Sequence, residues 1–79
     1  MNNAEVGDKV RTPDSAKDDF SNRKDGSRVN KYTGEIWSAS HTQHSGGKEW
    51  KVGIGIDKMP TPNNKITVSA DGKILKKGK

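Results

Sequence analysis

Two histidines, a glutamate and two lysines lie close together in this chain: His41, His44, Lys48, Glu49 and Lys51. They belong to the stretch Ile36 to Val52, IWSASHTQHSGGKEWKV, which also holds both tryptophans and a Gly46-Gly47 turn. Metal-free cleavage of RNA needs a base for the ribose 2′-OH, an acid for the leaving 5′ oxygen, and a cation for the crowded phosphorane. His41, His44 and Glu49 are of the right types for acid and base, since histidine titrates near neutral pH. Lys48 or Lys51 supplies the charge, and Trp37 or Trp50 offers a ring on which an unpaired base can stack. The same residues also have ordinary readings: tryptophans as core, glycines as a turn, Glu49 as a solvated strand residue. His41 and His44 have the HxxH spacing of a metal pair. No cysteine, third histidine or nearby aspartate completes a site, so the expected chemistry uses neither metal nor cofactor.

Two strands must hold this loop. Tyr32 to Ser38 reads as the first, after a turn at Thr33-Gly34. Trp50 to Ile56 alternates cleanly, with Trp50, Val52, Ile54 and Ile56 against Lys51, Gly53, Gly55 and Asp57, as a half-buried central strand does. Gly53 and Gly55 leave the opposite face bare, which fits a bulge or a close approach. Asp71-Gly72 lies between apolar positions, Ile66 and Val68 before it and Ile74 after, and predicts a hairpin of Lys65–Ser69 with Lys73–Lys76. Upstream, Asp14 and Ser15 can cap a short helix running to about Asn22, anchored by Phe20. Asn22 to Lys31 reads as a loop turning at Asp25-Gly26. Residues 1–13 read as a flexible linker, and residues 14–79 as one domain. The expected fold is therefore α+β: a short N-terminal helix on a small twisted antiparallel sheet of about four strands.

The chain has 79 residues, of which 27% are hydrophobic, so its core is small. With no cysteine, it has no disulfide and no thiolate metal site. Nothing in it reads as a signal region or an apolar membrane span, so the chain as given is expected to be soluble. Its formal net charge is +5. Residues 1–40 carry seven acids and seven bases, and residues 41–79 three acids and eight lysines. The excess lies in the half with the histidines, which points to a polyanionic partner.

The stretch Thr12 to Val52 resembles the C-terminal toxin modules of bacterial polymorphic and contact-dependent growth inhibition systems. The likeness rests on TPD, then Phe20, TGEIW, a charged histidine loop and a W-K-V strand. The loop is similar, more weakly, to the ribosome-cleaving ribonuclease domain of the cytotoxic colicins. Trp37, His44 and Lys51 match that pattern. Glu49 follows His44 by five residues where the family has four, and Ser40 or His41 stands where both families have aspartate. The resemblance implies a toxin endoribonuclease acting on ribosomal or transfer RNA. It would be secreted or surface-delivered as part of a larger protein and act in the cytoplasm of a target bacterium. A cognate immunity protein would neutralise it, and the basic charge makes that partner acidic. His44 and Glu49 would be the acid–base pair, His41 would replace the aspartate, and Lys51 would stabilise the phosphate. Lys48, Trp37, Ser40, Lys73, Lys76 and Lys77 are the expected RNA contacts. The rival readings are a non-catalytic basic RNA- or DNA-binding module, and an interaction domain with structural histidines.

Overall fold

The computed structural model describes residues 4–40, 49–54, 58–61 and 64–78. They form a six-stranded antiparallel meander in which each strand pairs with the next: β1 (Phe20–Asn22), β2 (Arg28–Asn30), β3 (Ile36–Ala39), β4 (Glu49–Gly53), β5 (Lys65–Ser69) and β6 (Ile74–Lys77). The α+β expectation of a helix on about four strands is overturned. The only helical segment among the described residues is a 3-10 turn, Lys17–Asp19.

The reason lies in residues 14–22. Phe20 is their single large apolar side chain, so a helix there would have no apolar stripe to offset its nucleation cost. Thr12 takes over the local hydrogen bonds instead. Its Oγ1 accepts from the backbone N–H of Asp14 (3.1 Å) and Ser15 (3.0 Å), and its carbonyl accepts from Ala16 (2.8 Å). Phe20 then enters a strand. The Asp25-Gly26 turn that follows is not a plain loop: it closes the β1–β2 hairpin, with Arg23 N–H donating to the Ser27 carbonyl at 2.9 Å and Ser27 N–H to Asp25 Oδ1 at 2.9 Å.

The first strand of the expected pair begins later than Tyr32, because residues 30–34 make a turn. The Asn30 side chain accepts from Tyr32 N–H (2.8 Å) and Thr33 N–H (3.1 Å), and Gly34 has a φ of 78°. The C-terminal hairpin forms at Asp71-Gly72 as the dipeptide predicts. β4 ends at Gly53, and Ile54 packs partly buried against the core; Ile56 lies outside the described residues.

Phe20, Trp37, Trp50, Val52, Ile66, Val68 and Ile74 make the buried cluster. Trp37 sits at its centre, edge-on to Phe20 at 5.2 Å and to Trp50 at 6.4 Å between ring centroids. Each such aromatic pair adds about 0.5–1.5 kcal/mol beyond its buried area. Residues 5–10, which read from composition as linker, bond along the outer edge of β6. Gly7 N–H donates to Ile74 O (2.8 Å), Ile74 N–H to Asp8 O (2.9 Å) and Val10 N–H to Gly72 O (2.8 Å). That pairing covers a sheet edge that would otherwise present bare N–H and C=O groups.

Asp71 fastens the same corner. Ser69 Oγ donates to its carboxylate, Lys9 Nζ lies 3.3 Å away, and Lys73 N–H adds a further bond. These hold its pKa down to about 2 from the ordinary 3.8. A depressed carboxylate pKa contributes stability that is complete above the unfolded value and lost as pH falls through the folded one. Unfolding by urea at a series of pH values should therefore show stability falling between about pH 4 and 2. Asp71→Asn should flatten that fall, and an unchanged profile would remove Asp71 from the account.

Candidate functional site

Side chains two residues apart on a strand share a face. The register therefore separates the core side, with Trp37, Trp50, Val52, Ile66 and Val68, from an opposite polar side. On that polar side one cross-strand row runs Ser38, Lys51, Thr67, Lys76 over β3 to β6. The next row joins Ser40, whose N–H donates to the Glu49 carbonyl at 2.8 Å, to Glu49 and then Ser69. The alternation of polar and apolar residues along β4 produces both faces at once.

Glu49 stands out within this polar surface. It is only 3% exposed, and its Oε1 is buried without a hydrogen bond. Among the described residues, Lys51 Nζ lies 3.9 Å from that oxygen, and it also donates to Thr67 Oγ1 at 2.9 Å. A buried carboxylate oxygen with an unused acceptor position is costly, because desolvation is not repaid. Such an oxygen can accept a hydrogen bond or a proton from a group brought to it, which is the requirement for a general base.

The expected site residues divide into three groups. Ser40, Glu49, Lys51 and Lys76 share the polar side, and Lys73 stands at the turn end of the β5–β6 hairpin. His41, His44 and Lys48 lie outside the described residues; the chain that carries them leaves at Ser40 and returns at Glu49. Trp37 and Lys77 are on the other side. Trp37 is 1% exposed in the core, so its ring offers no open face to a base, and Lys77 Nζ lies 3.8 Å from Glu5 Oε1. The same burial applies to Trp50, whose indole N–H donates to Asp14 Oδ2 at 2.8 Å.

Thr67 was missed by sequence reasoning, although it orients the Lys51 ammonium. No local signal marked it: the Asp71-Gly72 turn sets the pairing of β5 with β6, whereas Lys51 opposite Thr67 is a pairing of β4 with β5. Among the described residues, no helix is long and apolar enough to cross a membrane. Compared with protein-family models, curated proteins and solved structures, the chain matches none.

Proposed function

We propose that this chain is a toxin endoribonuclease domain that cleaves RNA, ribosomal or transfer, without a metal ion. The observation that carries the reading is the buried Glu49 carboxylate with its unbonded Oε1, 3.9 Å from Lys51, at the return end of the segment bearing both histidines. One of Glu49 and His44 takes the 2′-OH proton. The 2′ oxygen then bonds to phosphorus, and the other group protonates the 5′ oxygen as its bond to phosphorus breaks. The products are a 2′,3′-cyclic phosphate and a 5′-hydroxyl. His41 stands in for the family aspartate, and Lys51 stabilises the negative charge that builds on the phosphorane. Lys65 and Lys76 on the same side of the sheet give a phosphate backbone further positive charge to follow.

Incubation with ribosomes and with total RNA in the presence of a chelator tests this. Discrete fragments ending in cyclic phosphate are expected. Binding that weakens with salt, without cleavage, would replace the proposal by a non-catalytic RNA-binding module.

The same reading makes the domain one part of a larger delivered protein, held inactive by an acidic immunity protein. The association rate with that partner should fall steeply as salt rises, because carboxylates facing a lysine-rich surface steer the encounter. A salt-insensitive rate measured by stopped flow would count against an acidic partner.

A further inference from the structure

The two edges of the sheet are finished differently. Residues 5–10 bond along the outer edge of β6, whereas no strand among the described residues pairs with the outer edge of β1. The hydrogen-bond phase of β1 follows from its flanks. Lys31 N–H donates to the Asp19 carbonyl at 2.8 Å and Arg23 N–H to the Ser27 carbonyl at 2.9 Å. Ser21, paired with Val29 between them, therefore turns its backbone groups toward β2, and Phe20 and Asn22 turn theirs outward. The Phe20 N–H is taken by the Lys17 carbonyl. The Asn22 N–H and the carbonyls of Phe20 and Asn22 have no hydrogen-bond partner among the described residues, and Asn22 is exposed.

Open peptide groups in strand phase are a template for an added strand. Phe20-Ser21-Asn22 carries no proline, lysine or bulge to block one. The edge is short, so an added strand must gain the rest of its affinity from side chains. Those side chains alternate between the two faces of the sheet, and one set falls on the core side of β1. A cleft of about 440 Å³ opens there, with Asp14, Lys17, Asn22 and Arg28 as its polar lining. Arg28 Nη1 donates to the carbonyls of Gly26 (2.7 Å) and Ser27 (3.3 Å), which fixes the guanidinium without neutralising it. Neither Arg28 nor Lys17 forms an ion pair with a carboxylate among the described residues. Asp14 Oδ2 accepts the Trp50 indole N–H at 2.8 Å. Two cations against one carboxylate leave this lining net positive.

These features separate the classes of partner. N–H and C=O groups at strand spacing match a peptide backbone, and a sugar–phosphate chain has no such series to offer them. The aromatic residues beside the cleft, Phe20 and Trp50, are buried and present no open ring to a base. A basic or apolar strand would cover Arg28 and Lys17 without pairing them, which is expensive. An acidic strand supplies both the backbone and the charge.

We propose that the β1 edge docks an extended acidic segment of a partner protein. The segment adds a strand outside β1, bonding to the Asn22 N–H and to the Phe20 and Asn22 carbonyls. Carboxylates from its alternate positions pair with Arg28 and Lys17 in the cleft. The inference does not rest on the ribonuclease reading, because the edge shares no residue with Glu49, Lys51 and Thr67.

The amide resonances of Ser21, Asn22 and Arg23 in the isotope-labelled intact chain read the edge directly. The probe is a short peptide alternating threonine and glutamate, blocked at both ends and titrated to millimolar concentration. Saturable shifts at these amides are expected, together with slower hydrogen exchange at the Asn22 N–H. Two peptides N-methylated at alternate residues, one in each phase, test the backbone bonds: one phase should lose binding and the other keep it. Replacing the glutamates by lysine should abolish binding, and Lys17→Glu should weaken it at least about tenfold, the range for a hydrogen bond to a charged group. Asn22→Pro removes the outward N–H but no β1–β2 bond, a position where an edge strand accepts proline, and should also abolish binding. Lys17 is exposed, so its variant keeps the test open if Asn22→Pro does not fold. No saturable shift, binding that survives N-methylation in both phases, or unchanged affinity in folded Lys17→Glu overturns the proposal. So does saturation of the same amides by a 2′-O-methyl oligoribonucleotide but not by the peptide, which would make the edge a nucleic-acid contact.

Discussion

Glu49→Gln should reduce RNA cleavage by about 10²–10⁴-fold, the usual contribution of a general acid or base, while leaving the protein at least as stable as the parent. The two halves of this expectation rest on different physics. The rate falls because an amide can neither take nor give the proton at near-neutral pH. Stability holds because the side chain is 3% exposed with one oxygen unbonded, and a neutral amide of the same shape costs less to bury than a carboxylate. Lys51 loses an ion pair at 3.9 Å but keeps its bond to Thr67 at 2.9 Å, so its ammonium stays in place. A purely structural Glu49 would behave differently, with stability and rate falling together. Single-turnover cleavage and urea unfolding on the same sample separate the two cases. His44→Ala should produce a loss of the same size, and combining the two changes should cost far less than the product of the single losses, because paired groups act as a unit. Parent-like cleavage by folded Glu49→Gln would remove it from the chemistry.

Much of the site's framework was legible because strand alternation is a local property. Glu49 and Lys51 are two apart on a strand marked by Trp50 and Val52, so their shared side follows from sequence. The burial of Glu49 does not follow, since one glutamate among lysines reads as solvated. Its environment depends on which strands lie beside β4, and that is non-local information. Trp37 failed as a stacking ring for the same reason: its register partner is Val52, which commits it to the core. The β1–β2 hairpin was hidden because each of its strands has three residues and one apolar side chain, Phe20 or Val29, too few to show a period. The preceding residues offered caps for a helix, yet capping contributes only about 1 kcal/mol. Sheet pairing and the burial of Phe20 against Trp37 decide the outcome there.

Gly53→Ala should leave the chain only marginally folded at room temperature, with most of its stability lost. Gly53 is buried at the end of β4, and a methyl group on it would collide with the backbone of Lys58 and Met59. The alternation had marked this glycine as a place of close approach; what approaches is the protein's own chain. That chain has little freedom to retreat. The Lys58 carbonyl accepts Ile36 N–H at 3.0 Å, Lys58 has a φ of 58°, and its ammonium donates to the Thr33 carbonyl. Moving the segment breaks the bond to Ile36, about 0.5–1.5 kcal/mol, in addition to the roughly 1–3 kcal/mol typical of overpacking. A domain of this size without disulfides has only about 3–5 kcal/mol in total, so the sum removes most of it. Gly26→Ala is the matched control, since its φ of 89° is unfavourable for alanine but no atom lies within 4 Å of the added methyl. It should cost only about 1–2 kcal/mol, the penalty for left-handed backbone. Urea unfolding followed by tryptophan fluorescence ranks the two variants, and a Gly53→Ala protein no less stable than Gly26→Ala would show that Lys58 does not press on β4.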